Sequence, residues 1–228
     1  VGLITYMRTD SVNLAKEAVE EIRALIEKRY GADNLPETAL VYKTKSKNAQ
    51  EAHEAVRPTS AERTPDEMKK HLTPDQAKLY DLVWKRTVAC QMIPALLDTV
   101  AIDLTAGKHQ FRATGSTVVK PGYMAVYQEG SDEPRGEDEE GTILPAMNQG
   151  EQVTLDAITP TQHFTEPPPR YTEATLVKAL ETFGIGRPST YAAIIDTLER
   201  REYVKLEKRR FEPTDVGRVV NKFLSEHF

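Results

Sequence analysis

The stretch Tyr6-Met7-Arg8-Thr9-Asp10-Ser11 places a phenol, a guanidinium and three small polar side chains together, directly after the run Gly2-Leu3-Ile4-Thr5. In an extended chain residues two apart share a face, so Ile4, Tyr6 and Arg8 line one side. A phenol titrates near pH ~10, and only about a thousandth of it is phenolate at neutral pH. A neighbouring guanidinium favours the phenolate, and its fork can hold a phosphate through two parallel N–H bonds. Such a pair suits nucleophilic attack on a phosphodiester. Taken alone, Tyr-x-Arg is also the pattern of a strand tyrosine that only packs.

Two further constellations involve phosphate-binding side chains. In KSKNAQEAHEAVRPTS, the residues from Gln50 to Ala55 are predicted to form a short helix ending before Arg57, which Pro58 biases away from helical geometry. That brings His53 and Arg57 close together, a hydrogen-bond donor beside an arginine, on a segment that composition alone would call a surface helix. In GIGRPSTY, two glycines permit close backbone approach, Arg187 precedes Pro188, and Ser189 and Thr190 stand at a predicted helix N-terminus. Amides and hydroxyls there suit a phosphate oxygen, although capping alone explains them equally well.

The elements that must hold these residues follow from periodicity. Leu14, Ala18, Ile22, Leu25 and Ile26 predict a helix capped by Asp10 or Ser11 and stopped at Gly31. Two Thr-Pro-Asp sequences predict helices from about Pro65 and Pro74. After Ala95 the period becomes two: Val100, Ile102 and Leu104 open an antiparallel β segment that turns at Ala106-Gly107-Lys108, with further strands expected in GYMAVY (122–127) and EQVTLDAITP (151–160). Pro167 to Pro169 form a stiff linker. Beyond it come a helix capped at Thr172 and stopped at Gly184, a helix from Pro188, two short strands around a charged turn, and a last helix in DVGRVVNKFLSEHF. That is the element order of a winged helix.

The chain has 228 residues, 39% of them hydrophobic and 29% charged, without an apolar run near the roughly 18 residues of a membrane span. Cys90 is the single cysteine, which excludes an internal disulfide and a cysteine-based zinc cluster, and a reducing cytoplasm suits it. No signal peptide is recognisable, and nothing argues for export. A net charge of −5 looks unsuited to nucleic acid, but Glu129 to Glu140 carries seven acidic residues against Arg135, and without that run the balance is +1. The acidic run reads as a solvated loop. Basic residues gather in KTKSK (43–47) and KLEKRR (205–210).

The motifs GLITYMRTDS, NAQEAHEAVRPT, PPPRYTEATLVKALETFGIGRPSTYAAIIDTLERREYV and RRFEPTDVGRVV, in that order and spread over almost the whole chain, resemble the type IA DNA topoisomerases in the bacterial topoisomerase I branch. Met7 favours that branch over the topoisomerase III relatives. The resemblance implies an ATP-independent isomerase that relaxes negatively supercoiled DNA. The residue corresponding to Tyr6 attacks single-stranded DNA to give a 5′-phosphotyrosyl link and a free 3′-hydroxyl, another strand passes, and the break is resealed. It implies catalytic roles for Tyr6, Arg8 and His53, and DNA contacts by Thr9, Ser11, Arg57, Arg170, Tyr171, Arg187, Ser189, Thr190 and Tyr191, with Asp10 joining Thr9 and Ser11 as helix caps. Base stacking on tyrosine would make that binding sequence-tolerant.

The implied fold is multidomain α+β: a helical tyrosine-bearing domain (1–94), an antiparallel β segment of the arch or hinge (95–164), and part of a winged-helix-like (CAP-like) base domain (165–228). Relatives begin with an acidic toprim domain whose carboxylates bind Mg²⁺. Nothing like it stands before Tyr6, so the sequence reads as a central piece of such an enzyme, inactive alone and holding no metal ligands of its own. The expected partner is single-stranded and negatively supercoiled DNA, with no membrane, and the expected state is a cytoplasmic, nucleoid-associated monomer. The alternatives are a non-catalytic winged-helix module that binds single-stranded DNA, in which Tyr6 only packs, and an interaction fragment whose basic residues meet proteins. A tyrosine recombinase is disfavoured by the early position of Tyr6.

Overall fold

A computed structural model describes residues 2–7, 9, 11–42, 54–128 and 143–227. Among these the chain is mixed α/β, with six α-helices and two antiparallel two-stranded sheets. It divides into two compact units, Val1–Gln152 and Val153–Phe228.

In the first unit, α1 (Lys16–Tyr30) buries Ala18, Ile22, Leu25 and Ile26, the single stripe that their spacing dictates. After the one-turn helix α2 (Pro65–Met68), α3 (Pro74–Ala89) brings Tyr80, Trp84 and Val88 against that stripe, and Ala61 and Met92 complete the core. Burying apolar side chains of this size contributes roughly 1.5–3 kcal/mol each, so the core rests on these two helices. The polar ends of its aromatics are satisfied. The Tyr80 hydroxyl donates to the Arg63 carbonyl at 2.7 Å and the Trp84 indole to that of Ala61 at 2.8 Å, which pins the segment before α2 onto α3.

Both Thr-Pro starts are where the sequence places them. The Thr73 hydroxyl accepts from the Gln76 amide and the Gln76 side chain accepts from the Thr73 amide, a reciprocal cap. The start of α1 differs from expectation. Residues 11–14 are not helical, Ala15 occupies the N-cap position, and the oxygen that accepts its amide proton, at 3.0 Å, belongs to Glu54. The Ser11 hydroxyl instead accepts from the Asn13 amide, and Leu14 packs on the core. Residues 2–7 form no strand; Ile4 makes an isolated antiparallel bridge with Pro58. The helix expected from Gln50 to Ala55 lies mostly outside the described residues, and Glu54 and Ala55 are not helical.

Gln91 is wholly buried just past α3. Its side-chain oxygen accepts from the Leu40 amide at 3.1 Å and its side-chain nitrogen donates to the Leu40 carbonyl at 2.9 Å. Two residues on, the Tyr42 hydroxyl donates to the Cys90 carbonyl at 2.6 Å.

β1 (Leu96–Ala106) and β2 (His109–Lys120) form the expected hairpin, with Ala106 facing His109 across a turn in which Gly107 takes φ +60°. A polar face carries the directly opposed Asp103 and Arg112, joined by two hydrogen bonds of 2.6 and 2.8 Å. The strand expected in GYMAVY is instead a 3-10 turn, Gly122–Ala125. Gly122 has φ +51°, and a side chain there would meet the carbonyls of Ile93 and Pro94, so the backbone turns where alternation suggested it would extend. The strand expected in 151–160 is absent as well. Val153, Leu155 and Ile158 are exposed and no described strand pairs with them, and alternation cannot supply a partner.

The second unit has the expected order: α4 (Glu173–Thr182), α5 (Tyr191–Arg200), β3 (Val204–Glu207), β4 (Arg210–Pro213) and α6 (Asp215–His227). The Thr172 hydroxyl accepts from the Thr175 amide at 3.2 Å, the predicted cap, and α4 ends before Gly184 at φ +69°. α5 starts at Tyr191 rather than Pro188, because Arg187 to Thr190 are used as a turn. The charged hairpin turn holds Lys208 and Arg209 in left-handed backbone, φ +47° and +64°, the geometry that matches strand twist.

Candidate functional site

Tyr6 is 83% exposed although the backbone before it is firmly held. The Thr59 amide donates to the Leu3 carbonyl at 2.9 Å, and the Thr5 amide donates to the Arg57 carbonyl at 2.8 Å. The Thr5 hydroxyl accepts from the Arg57 amide at 3.0 Å and donates to the Ala55 carbonyl at 3.2 Å. A phenol displayed on a fixed backbone is a geometry suited to attack on an external substrate.

Arg57 therefore sits beside the Tyr6 segment, as its candidacy needs, but its side chain turns inward and is only 16% exposed. Its Nε and Nη2 donate to the two oxygens of Glu54 at 2.6 and 3.3 Å, and Nη1 donates to the Pro58 carbonyl at 2.9 Å. Burial by itself would raise the Glu54 carboxyl. The Arg57 hydrogen bonds, the Ala15 amide and the Arg57 charge outweigh it and hold the carboxyl below its usual range. The carboxylate is thus charged at neutral pH and the clamp is closed.

Thr9 and Ser11 line a cavity of about 540 Å³ whose other walls include Tyr42, Arg86, Cys90 and Tyr127. Thr9 is exposed and Ser11 buried. The Arg86 guanidinium lies 4.8 Å from the Tyr127 ring centroid. Burial pushes the Cys90 thiol and the Tyr42 hydroxyl up from their ordinary values. Arg8, Asp10 and His53 lie outside the described residues.

In the second unit, Arg187 is exposed and its backbone is closed into a turn by Thr190, whose hydroxyl accepts from the Arg187 amide at 2.9 Å and donates to its carbonyl at 3.0 Å. Gly186, at φ +74°, allows this: a side chain there would press on Ile194 and on the Thr190 hydroxyl. Ser189 is exposed and Tyr191 half-buried at the first turn of α5, so Arg187, Ser189, Thr190 and Tyr191 share one helix start. Arg170 and the half-exposed Tyr171 are strapped to β4 instead. The Phe211 amide donates to the Tyr171 carbonyl at 2.8 Å and the Arg210 side chain to the Arg170 carbonyl at 3.1 Å.

Among the described residues no group of three or more His, Cys, Asp or Glu side chains is placed to hold a metal ion. Nor is any described helix long and apolar enough to cross a membrane. Sequence reasoning passed over Thr5 and Glu54. The signal for Glu54 was its position three before an arginine, and for Thr5 its place directly before the tyrosine.

A family model described as DNA topoisomerase matches residues 1–228. The chain is 63% identical over 230 residues to DNA topoisomerase 1 of Xylella fastidiosa strain Temecula1, covering all of this chain and 28% of that protein. It is 50% identical over 230 residues to DNA topoisomerase 1 of Rickettsia conorii, covering 29% of that protein. The full-length topoisomerase I structure from Thermotoga maritima superposes on 99% of this chain and 35% of its own length, with a TM-score of 0.76 and 36% identity. The chain thus spans under a third of the curated relatives it matches. With a family model and relatives covering the whole sequence, this chain belongs to the bacterial type IA DNA topoisomerases.

Proposed function

We propose that this chain carries the strand-cleaving tyrosine of an ATP-independent enzyme that relaxes negatively supercoiled DNA. The Tyr6 oxygen attacks a backbone phosphorus of single-stranded DNA. A tyrosine–phosphorus ester forms, the bond to the 3′ oxygen breaks, the phenolic proton is given up and the 3′ oxygen takes one, leaving a 3′-hydroxyl. Religation reverses each change. The ester keeps the bond energy, so no nucleotide need be hydrolysed.

The observation that carries this reading is the exposure of Tyr6, 83%, on a backbone whose neighbour Thr5 makes three hydrogen bonds to residues 55–57. In the same reading Arg8 and His53 meet the scissile phosphate. Thr9, Ser11 and Arg57 support the cleavage centre, while Arg170, Tyr171, Arg187, Ser189, Thr190 and Tyr191 bind the single strand through phosphate pairing and stacking. Mg²⁺ supplies charge neutralisation at the phosphate when bound, from ligands outside this chain. The finer architecture in this reading is a helical tyrosine domain, a hinge built on β1 and β2, and a winged-helix-like domain from α4 to α6. The enzyme acts as a cytoplasmic monomer on single-stranded regions.

The test is a denaturing gel of the full-length protein with a 3′-end-labelled single-stranded oligonucleotide, beside Tyr6→Phe. A labelled protein adduct that vanishes in the variant is the expected result. Binding without adduct in both proteins would leave only the non-catalytic module.

A further inference from the structure

We propose that Glu54 is a positioning residue for cleavage: by joining the Arg57 guanidinium to the start of α1, its carboxylate fixes the segment on which Tyr6 is mounted. The inference rests on the proposed cleavage by Tyr6.

One oxygen of Glu54 accepts both the Ala15 amide at 3.0 Å and Arg57 Nε at 2.6 Å, and the other accepts Arg57 Nη2 at 3.3 Å. A single side chain thus fastens two parts of the chain that lie 39 residues apart. What it fastens is the platform of the tyrosine. Thr5, the residue before Tyr6, directs its amide and both roles of its hydroxyl to Ala55 and Arg57. On the far side of Tyr6, the Asn13 carbonyl accepts from the Ala55 amide at 2.7 Å. Both flanks of the tyrosine segment are therefore referred to residues 55–57, the backbone that adjoins the pair between Glu54 and Arg57.

The pair is largely shielded, with Arg57 16% and Glu54 32% exposed. Removing the carboxylate charge leaves a shielded guanidinium without its partner, a state that a protein escapes by turning the arginine outward. Thr5 would then lose the fixed arrangement of its acceptors. Displacement of a nucleophile by an ångström can cost on the order of a hundredfold in rate, whereas affinity for the strand, held by Arg187 and its neighbours, should barely change.

The experiment uses the full-length protein and the 3′-labelled oligonucleotide under single-turnover conditions, with Glu54→Gln, Glu54→Asp, Arg57→Gln and the double variant Glu54→Gln/Arg57→Gln. Gln keeps an acceptor for the Ala15 amide but loses the ion pair. At saturating oligonucleotide, Glu54→Gln should form adduct at least about tenfold more slowly, with a Kd within about threefold of wild type. Glu54→Asp should lie between the two. The double variant should be no slower than Arg57→Gln alone, because both changes break one connection. A folded Glu54→Gln protein that cleaves within about twofold of wild type overturns the proposal. If Glu54→Gln melts below the assay temperature, Glu54→Asp decides: an unchanged cleavage rate overturns it, and a slower rate at unchanged Kd supports it. Wild-type protein that binds but gives no adduct overturns the cleavage reading itself, before any variant is compared, and this inference falls with it.

Discussion

Thr5 and Arg57 exchange two hydrogen bonds, one between their backbones at 2.8 Å and one from the Arg57 amide to the Thr5 hydroxyl at 3.0 Å. Thr5→Val keeps the shape and removes the hydroxyl, leaving the Arg57 amide and the Ala55 carbonyl without that partner. The expected cost is about 1–3 kcal/mol, read as a lowered urea midpoint at unchanged slope. A midpoint equal to wild type would show that water replaces the hydroxyl without loss.

Gly217 lies near the start of α6, where helix propensity says that alanine should gain about 1 kcal/mol. Sterics reverse the sign. A β-carbon there would stand 2.0 Å from the Tyr203 carbonyl oxygen. The Thr214 hydroxyl binds the Gly217 amide at 3.0 Å and the Glu202 carbonyl at 2.6 Å, so the helix start has little freedom to retreat. Gly217→Ala should destabilise by about 1–3 kcal/mol or more in thermal unfolding.

Stability should depend on acid through Glu54. Its carboxyl is held below the ordinary 4.5 in the folded chain, against the opposing effect of burial, by Arg57 and the Ala15 amide. A group depressed in this way stabilises fully above its unfolded value and loses that contribution as pH falls through its folded value. The stability difference between wild type and Glu54→Gln should be constant near neutrality and shrink below about pH 4.5. Urea melts of both proteins across that range measure it. A difference independent of pH would show that the charged form is not what holds Arg57.

Arg187 is exposed on a turn closed by backbone and Thr190 contacts, so Arg187→Ala should leave the fold intact. Single-strand affinity should fall, and the slope of log K against log salt should shrink by about 0.7, the value for one lost phosphate contact. A fall in affinity at unchanged slope would assign Arg187 to base contact instead.

How much was legible follows the range of the interactions. The cap of α3 could be read because Thr73 and Gln76 are three residues apart and supply each other's partners. The start of α1 could not, because the acceptor for Ala15 is Glu54 and no local pattern announces it. Alternation in 151–160 showed which side chains are apolar but not whether a second strand would be there to pair. At the candidate site, the spacing of Tyr6 and Arg8, and separately the GIGRPSTY run around Arg187, suggested phosphate chemistry. That Arg57 would spend its guanidinium on Glu54 and Pro58 is a tertiary fact, visible only once residues 2–5 and 54–59 lie side by side.

Gln91 offers Leu40 one acceptor and one donor, which is what the facing residue of an adjoining strand would offer. Its sequence neighbour Cys90 takes the Tyr42 hydroxyl. Two fastenings on alternate residues fix a heading as well as a point. The chain therefore passes the end of α3 like a rail bolted twice: sliding along its axis would break both bolts together, and Tyr42 is tied to the residue that caps the helix.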